Sequence, residues 1–300
     1  MSVAMTSGRR APWRVRLRRL LTEAGAVMLG IALLIWSVTP VYNMLLIALD
    51  PEEGEVEFSG NLWPPEPSLD SFRVVLTQDA RYLEHFWRQL GNSLYIGLTT
   101  MFLTVLIASL ASFAVGRMRL GQGWLRTGAA VLSNASLLTY AIPASFLVFP
   151  FHRIMHDYGL SNNPWAVIAA QVTFASPLAI LILLEYARLI PIELDDAARV
   201  DGASSVEVYR RVYLPLTTPA LAVVATYALV LVWNDYLYQF ALLSSERHMT
   251  AAVMQAQLFD DADPPWNAMM AAAIIYSLPP VAIFLVLRRT MTAALTNWWR

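Results

Sequence analysis

The chain has 300 residues, of which 57% are hydrophobic and 14% charged, with a net charge of -1. That much apolar surface exceeds what a water-soluble domain can bury, which excludes an ordinary soluble fold. The 21 basic residues are all Arg, scattered between apolar runs with no single basic face, which argues against nucleic acid as a partner; the absence of Cys removes disulfides, thiolate metal sites and cysteine nucleophiles.

Charged residues divide the sequence into long uncharged runs at 24–49, 89–116, 127–152, 158–184, 212–234 and 264–287. Each exceeds the roughly 20 residues that a helix needs to cross a hydrocarbon core, so the sequence predicts an all-α integral membrane protein with six transmembrane helices. Residues 1–20 form a basic arm, and the first helix is expected at 21–49, where its length favours a retained anchor over a cleaved signal peptide. The segment 50–87 carries nine Asp or Glu together with Pro51, Pro64, Pro65 and Pro67 and reads as an extracytoplasmic loop or small cap. Residues 88–290 are expected to form a five-helix core, followed by a tail at 291–300. Placing both termini in the cytoplasm puts 16 of the 21 Arg on that side, as the positive-inside rule requires.

The third span contains Asn134, Thr139, Tyr140 and Pro143, and the fifth ends in Trp233, Asn234 and Asp235. Polar groups inside a membrane face either a partner helix or a water-filled cavity, which makes Asn134, Tyr140, Trp233 and Asn234 candidates for a substrate pathway or for helix-to-helix bonds. His152 and His156 share a helical spacing, but no third ligand stands at a recognised distance, so no metal site is predicted. No catalytic constellation is predicted either. In the outer connection between the fifth and sixth spans, Asp260, Asp261 and Asp263 precede two prolines and Trp266. This reads as a stiff projecting loop, suited to contact a docked extracytoplasmic protein or to connect passively.

The most informative stretch lies between the fourth and fifth spans, from Ile190 to Pro215. Pro191 suits a first helical position, and Glu193, Asp195 and Asp196 place acids toward the positive end of a short helix. Gly202 can end it, and Ser204 with Glu207 has capping-box spacing for a second helix, whose Val206, Tyr209, Val212 and Tyr213 should line one face. Pro215 should stop that helix before the fifth span. These residues alone fit either a docking element or an amphipathic loop on the lipid interface.

The spacing Asp196-Ala197-Ala198, three residues, Gly202, nine residues, Val212-x-Leu214-Pro215 resembles the cytoplasmic signature of binding-protein-dependent ABC importer permeases. That family's pattern is Glu-Ala-Ala, three residues, Gly, nine residues, Ile-x-Leu-Pro, so the acid is shortened and Ile is replaced by Val212. Asp201-Gly202-Ala203 resembles the form of the carbohydrate-uptake, maltose-type branch. Asn92-Ser93, Gly159-Leu160, Trp233-Asn234-Asp235-Tyr236 and Met270-Ala271-Ala272-Ala273 extend the similarity over roughly 90–290. The resemblance implies a type I ABC importer permease fold in a prokaryotic plasma (inner) membrane. The loop at 186–216 would dock on a separate ATPase through Asp196, Ala197, Ala198, Asp201, Gly202, Ala203, Leu214 and Pro215. Implied partners are a second permease, two ATP-binding subunits and an extracytoplasmic sugar-binding protein, which Asp260, Asp261, Asp263 and Trp266 would contact. No cofactor is expected on this chain: a Walker motif needs Lys and the sequence has none, so ATP and Mg belong to the partner. The competing class is a self-sufficient secondary transporter or channel, which would need ionisable groups in the spans.

Overall fold

The computed structural model describes residues 13–51, 62–117, 127, 128, 131, 134–136, 138, 139, 141–259 and 265–297. The long elements are helices: α1 (Trp13–Leu49), α2 (Asp70–Thr77), α3 (Phe86–Gly116), α4 (Val148–Asp157), α5 (Pro164–Arg188), α6 (Glu193–Val200), α7 (Ser205–Val208), α8 (Leu214–Trp233), α9 (Leu237–Leu242), α10 (Ala251–Phe259) and α11 (Trp266–Asn297). No strand occurs among the described residues. In hydrocarbon a helix satisfies its backbone groups internally, which an open strand cannot do.

Among the described residues, five helical stretches are long and apolar enough to cross a membrane: Leu21–Leu49, Arg81–Gly116, Pro164–Arg188, Ser205–Trp233 and Trp266–Met291. They coincide with five of the six expected runs. The sixth, 127–152, falls partly outside the described residues; its described part is helical in pieces up to Thr139, bends at 141–142 and resumes as a 3-10 turn, Ala144–Leu147, leading into α4. Residues 1–12 of the expected arm, 52–61 of the acidic loop and 298–300 of the tail also lie outside the described residues.

The bundle is built on α3, which packs against α5 and α8, while α11 packs against α8 and α1. Lipid is as apolar as Leu, so helices in a membrane associate through close packing of small residues. Ala108, Ala179 and Ala220 meet at one such crossing, beside Leu183 and Val224. At another, a side chain on Gly97 would stand 3.2 Å from Leu229 Cδ1 and 3.6 Å from the Trp233 ring, so glycine is what permits that approach. By contrast, Leu29, Leu33, Trp36 and other large side chains of α1 are exposed, a surface suited to lipid.

Of the loop or small cap expected at 50–87, the described part forms a small cap: α2 and a 3-10 turn at Arg81–Leu83 bury Val75 and Leu83 in one cluster with Leu258 and Ala268. One expectation about the helices needs correction. Pro215 does not stop the helix before the fifth span. α7 runs through a π-helical turn, Tyr209–Tyr213, straight into α8, where Pro215 occupies the first turn. Proline removes a backbone donor and crowds the preceding turn, and the wider π turn, in which Leu214 N–H bonds Tyr209 O, gives it room.

Candidate functional site

The segment 193–215 folds as two short helices joined by a tight turn. α6 ends in a paired bond pattern in which Gly202 N–H donates to Arg199 O at 3.0 Å and Ala203 N–H donates to Ala198 O at 2.9 Å. That pattern needs a left-handed residue after the helix, and Gly202 supplies it at φ +88. The expected capping box is present: Glu207 N–H donates to Ser204 Oγ, and Ser204 N–H donates to Glu207 Oε2 at 2.9 Å.

One face of the segment is fastened to the bundle. Tyr209 and Tyr213 stack on each other, and both rings lie 5.2 Å from Phe113. Their hydroxyls bond Ser109 at 2.8 Å and Ser112 at 2.7 Å. Val206, expected on the same face, instead points away and is 65% exposed; fully buried Val208 takes its place. The widened turn after Val208 shifts the periodicity on which the expectation rested.

At the other end, Arg117 Nε and Nη2 each lie 2.9 Å from an Asp195 carboxylate oxygen. The same guanidinium donates to Ile190 O at 2.7 Å and to Pro191 O at 3.2 Å. Neither Arg117 nor Asp195 stood among the sequence candidates, and a cation placed after an apolar run followed by an acid at a helix start was the available signal. The opposite face is open: Ala197, Asp201, Gly202 and Pro215 are exposed, Asp196 and Leu214 are half-buried, and Val200 between them is 87% exposed. Ala198 and Ala203 turn inward against the cluster around Tyr213.

A second constellation lies where the fifth span breaks. α8 ends at Trp233 and α9 starts at Leu237, leaving Asn234, Asp235 and Tyr236 outside regular helix. The Asp235 carboxylate accepts from Gln239 N–H, while Gln239 Nε2 donates at 2.8 Å to Val232 O, which also accepts from Asp235 N–H. Beside the break is a cavity of about 490 Å³ lined by Gln171, Phe174, Tyr227, Asn234, Asp235 and Tyr238, with Ala144, Val230 and Leu231.

Of the four pathway candidates, Asn234 lines this cavity. Trp233 does not: it is 6% exposed, stacks on Tyr276 at 4.9 Å and packs between α3, α8 and α11. Asn134 lies exposed on a helical piece away from the cavity lining, and Tyr140 lies outside the described residues. Asp260, Asp261 and Asp263 also lie outside them, while Trp266 opens α11 with its ring edge-on to Phe259. Asn92 and Ser93 join the connection between α9 and α10 to the bundle: Asn92 Nδ2 donates to Arg247 O and Met249 O, and Ser93 Oγ accepts from Ala251 N–H.

Residues 100–296 match the family described as binding-protein-dependent transport system inner membrane component, which is about two thirds of the chain. The chain belongs to this family. Its matched region contains both constellations, the 193–215 segment and the broken fifth span. The trehalose transport system permease protein SugB of Mycobacterium tuberculosis is 30% identical over 264 residues, covering 87% of this chain and 92% of that one. The trehalose/maltose transport system permease protein MalG of Thermococcus litoralis is 29% identical, covering 93% of this chain and 96% of that one. A solved bacterial ABC transporter involved in the import of the acidic polysaccharide alginate superposes with a TM-score of 0.72 at 20% identity, over 91% of this chain and 97% of that one. At that identity the superposition speaks for the fold alone.

Proposed function

We propose that this family member is one of two permease subunits of an ATP-driven sugar importer, in the inner membrane of a prokaryote. It crosses the membrane six times with both termini in the cytoplasm. Its partners are a second permease, two ATP-binding subunits and an extracytoplasmic sugar-binding protein. The curated relatives carry names of trehalose, maltose, diacetylchitobiose and arabinooligosaccharide systems, which supports a sugar as the cargo.

The observation that carries the reading is the open face of the 193–215 segment. Its back is fixed to the bundle and its front presents Ala197, Val200, Asp201 and Gly202. Small residues allow close backbone approach and Asp201 can meet a basic group, the surface chemistry of a docking element. The chain has no Lys for a Walker motif, so ATP and Mg act on the partner and energy arrives as rigid-body movement.

The cavity at the α8–α9 break is the proposed segment of the sugar path. Aromatic faces of Phe174, Tyr227 and Tyr238 suit the apolar side of a sugar ring, and Gln171, Asn234 and Asp235 suit its hydroxyls. Broken helices lining a cavity are a recurring way to expose backbone and polar groups to cargo inside a membrane. Uptake of radiolabelled trehalose and maltose into proteoliposomes tests this reading, with the chain reconstituted beside its partner subunits. Uptake should require ATP and the ATPase subunit, and Asn234→Leu should lower it while ATPase assembly is kept. Uptake driven by an ion gradient without ATP contradicts the proposal.

A further inference from the structure

Four side chains at the inner end of α3, Ser109, Ser112, Phe113 and Arg117, follow one another at helical spacing and share one face. The first three hold the α7 half of the 193–215 segment through Tyr209 and Tyr213. Arg117, the residue that ends α3, holds the α6 half through Asp195.

We propose that the Arg117–Asp195 pair is a positioning strut that carries displacement of the docking segment into α3, and so sets how much cargo moves per ATP hydrolysed. The pair is 78 residues apart in sequence and enclosed, at 3% and 1% side-chain exposure. Arg117 Nη2 donates to Asp195 Oδ1 at 2.9 Å, Nε lies as close to Asp195 Oδ2 without the alignment of a hydrogen bond, and Nη1 and Nη2 also donate to Ile190 O and Pro191 O at the exit of α5. One rigid group thus fastens three points: the end of α3, the end of α5 and the first turn of α6.

A stability role alone does not explain this arrangement. Burying two charges costs about as much as their attraction returns, and an apolar pair of similar volume stabilises as well or better. What the guanidinium adds is directional stiffness. An apolar contact lets two helices slide or rotate past each other at little cost, whereas a planar group bonded at once to a carboxylate and to two backbone carbonyls resists both. Asp196, the position that matches the family signature, is a separate residue facing the open side. Asp195 faces inward, and its place in the account is transmission, not docking.

This inference rests on the docking role proposed above, and the test separates the two. Complexes captured through a tag on the ATPase subunit are assayed for uptake and hydrolysis together. Arg117→Lys keeps the charge without the planar guanidinium and its several directed donors, and the double variant Arg117→Met/Asp195→Leu replaces the pair by apolar groups. Both should be captured with the ATPase in normal amounts. Uptake per ATP should fall at least about fivefold in the double variant, the lower range for energetic coupling between sites, and by a smaller factor in Arg117→Lys. Wild-type uptake per ATP in both captured variants overturns the strut and leaves docking intact. A wild-type chain that is not captured by the ATPase overturns docking and the strut with it.

Discussion

Gly202 sits at φ +88 with nothing within 4 Å of where a Cβ would be, so its constraint is backbone conformation and not crowding. An L-residue in that region costs about 1–2 kcal/mol, but Asn visits it more readily. We therefore expect Gly202→Val to lower ATP-dependent uptake several-fold and Gly202→Asn to retain most of it, measured as initial rates in proteoliposomes. Equal loss in both variants would show that the absence of a side chain matters, not the turn. Gly97 presents the opposite case, with ordinary backbone and a neighbour at 3.2 Å. Gly97→Ala requires Leu229 to move by a few tenths of an ångström, while Gly97→Val overpacks the α3–α8 crossing at about 1–3 kcal/mol. The thermal midpoint of the detergent-solubilised complex should drop clearly for Val and little for Ala. Gly202 was legible in the sequence because its signal is local: a glycine between two helix signals. Arg117 was legible only as a charge on one side of the membrane, since its partner lies 78 residues away and nothing local announces it.

Among the elements, the 193–215 unit shows how far local rules reach. The capping box and the glycine stop were readable because each involves groups within four residues of one another. The course of the chain after Val208 was not, because the expectation that Pro215 ends a helix assumes α geometry and the structure adopts a π turn there. The fifth span shows a similar limit. Trp233 had the chemistry of a sugar-stacking residue, but Tyr276, 43 residues later, covers its ring and donates its hydroxyl to Trp233 O at 2.7 Å. Asp235 read as an edge residue, and only the break between α8 and α9 places it on a cavity. The tyrosine latch gives an element-scale prediction. Tyr213→Phe removes the bond to Ser112, whose hydroxyl keeps its partner Ala108 O, so the loss should be about 0.5–1.5 kcal/mol. Thermal unfolding of the complex should report a small fall for Tyr213→Phe and a larger one for Tyr213→Ala, which also empties the space between Phe113, Ala187 and Val208.

For the whole molecule, the five apolar helices among the described residues are organised with α3 against α5 and α8, and the 193–215 segment is fastened to the end of α3. The large side chains of α1 are exposed, the proposed docking face is exposed, and the proposed cargo route is a cavity beside a broken helix. Composition made the membrane class legible from the sequence, because uncharged runs of that length match the thickness of a hydrocarbon core. The packing order of the helices was not legible, since every span offers apolar and small residues to its neighbours and none names its partner. Sidedness is testable in the cysteine-free chain. Cysteines at exposed Glu66 and Val200 should react with an impermeant thiol reagent from opposite faces of the membrane, Glu66 from outside, and reaction of both from one face would refute the proposed topology.

The central claim is that the 193–215 segment receives its energy from a separate ATPase subunit. The most direct measurement is site-specific photo-cross-linking from a benzoylphenylalanine placed at exposed Asp201 in the assembled complex. The account predicts a cross-linked product between this chain and the ATPase subunit, with a yield that changes when ATP is added. Cross-links from Asp201 to lipid alone, with none to the ATPase in either nucleotide state, would contradict it.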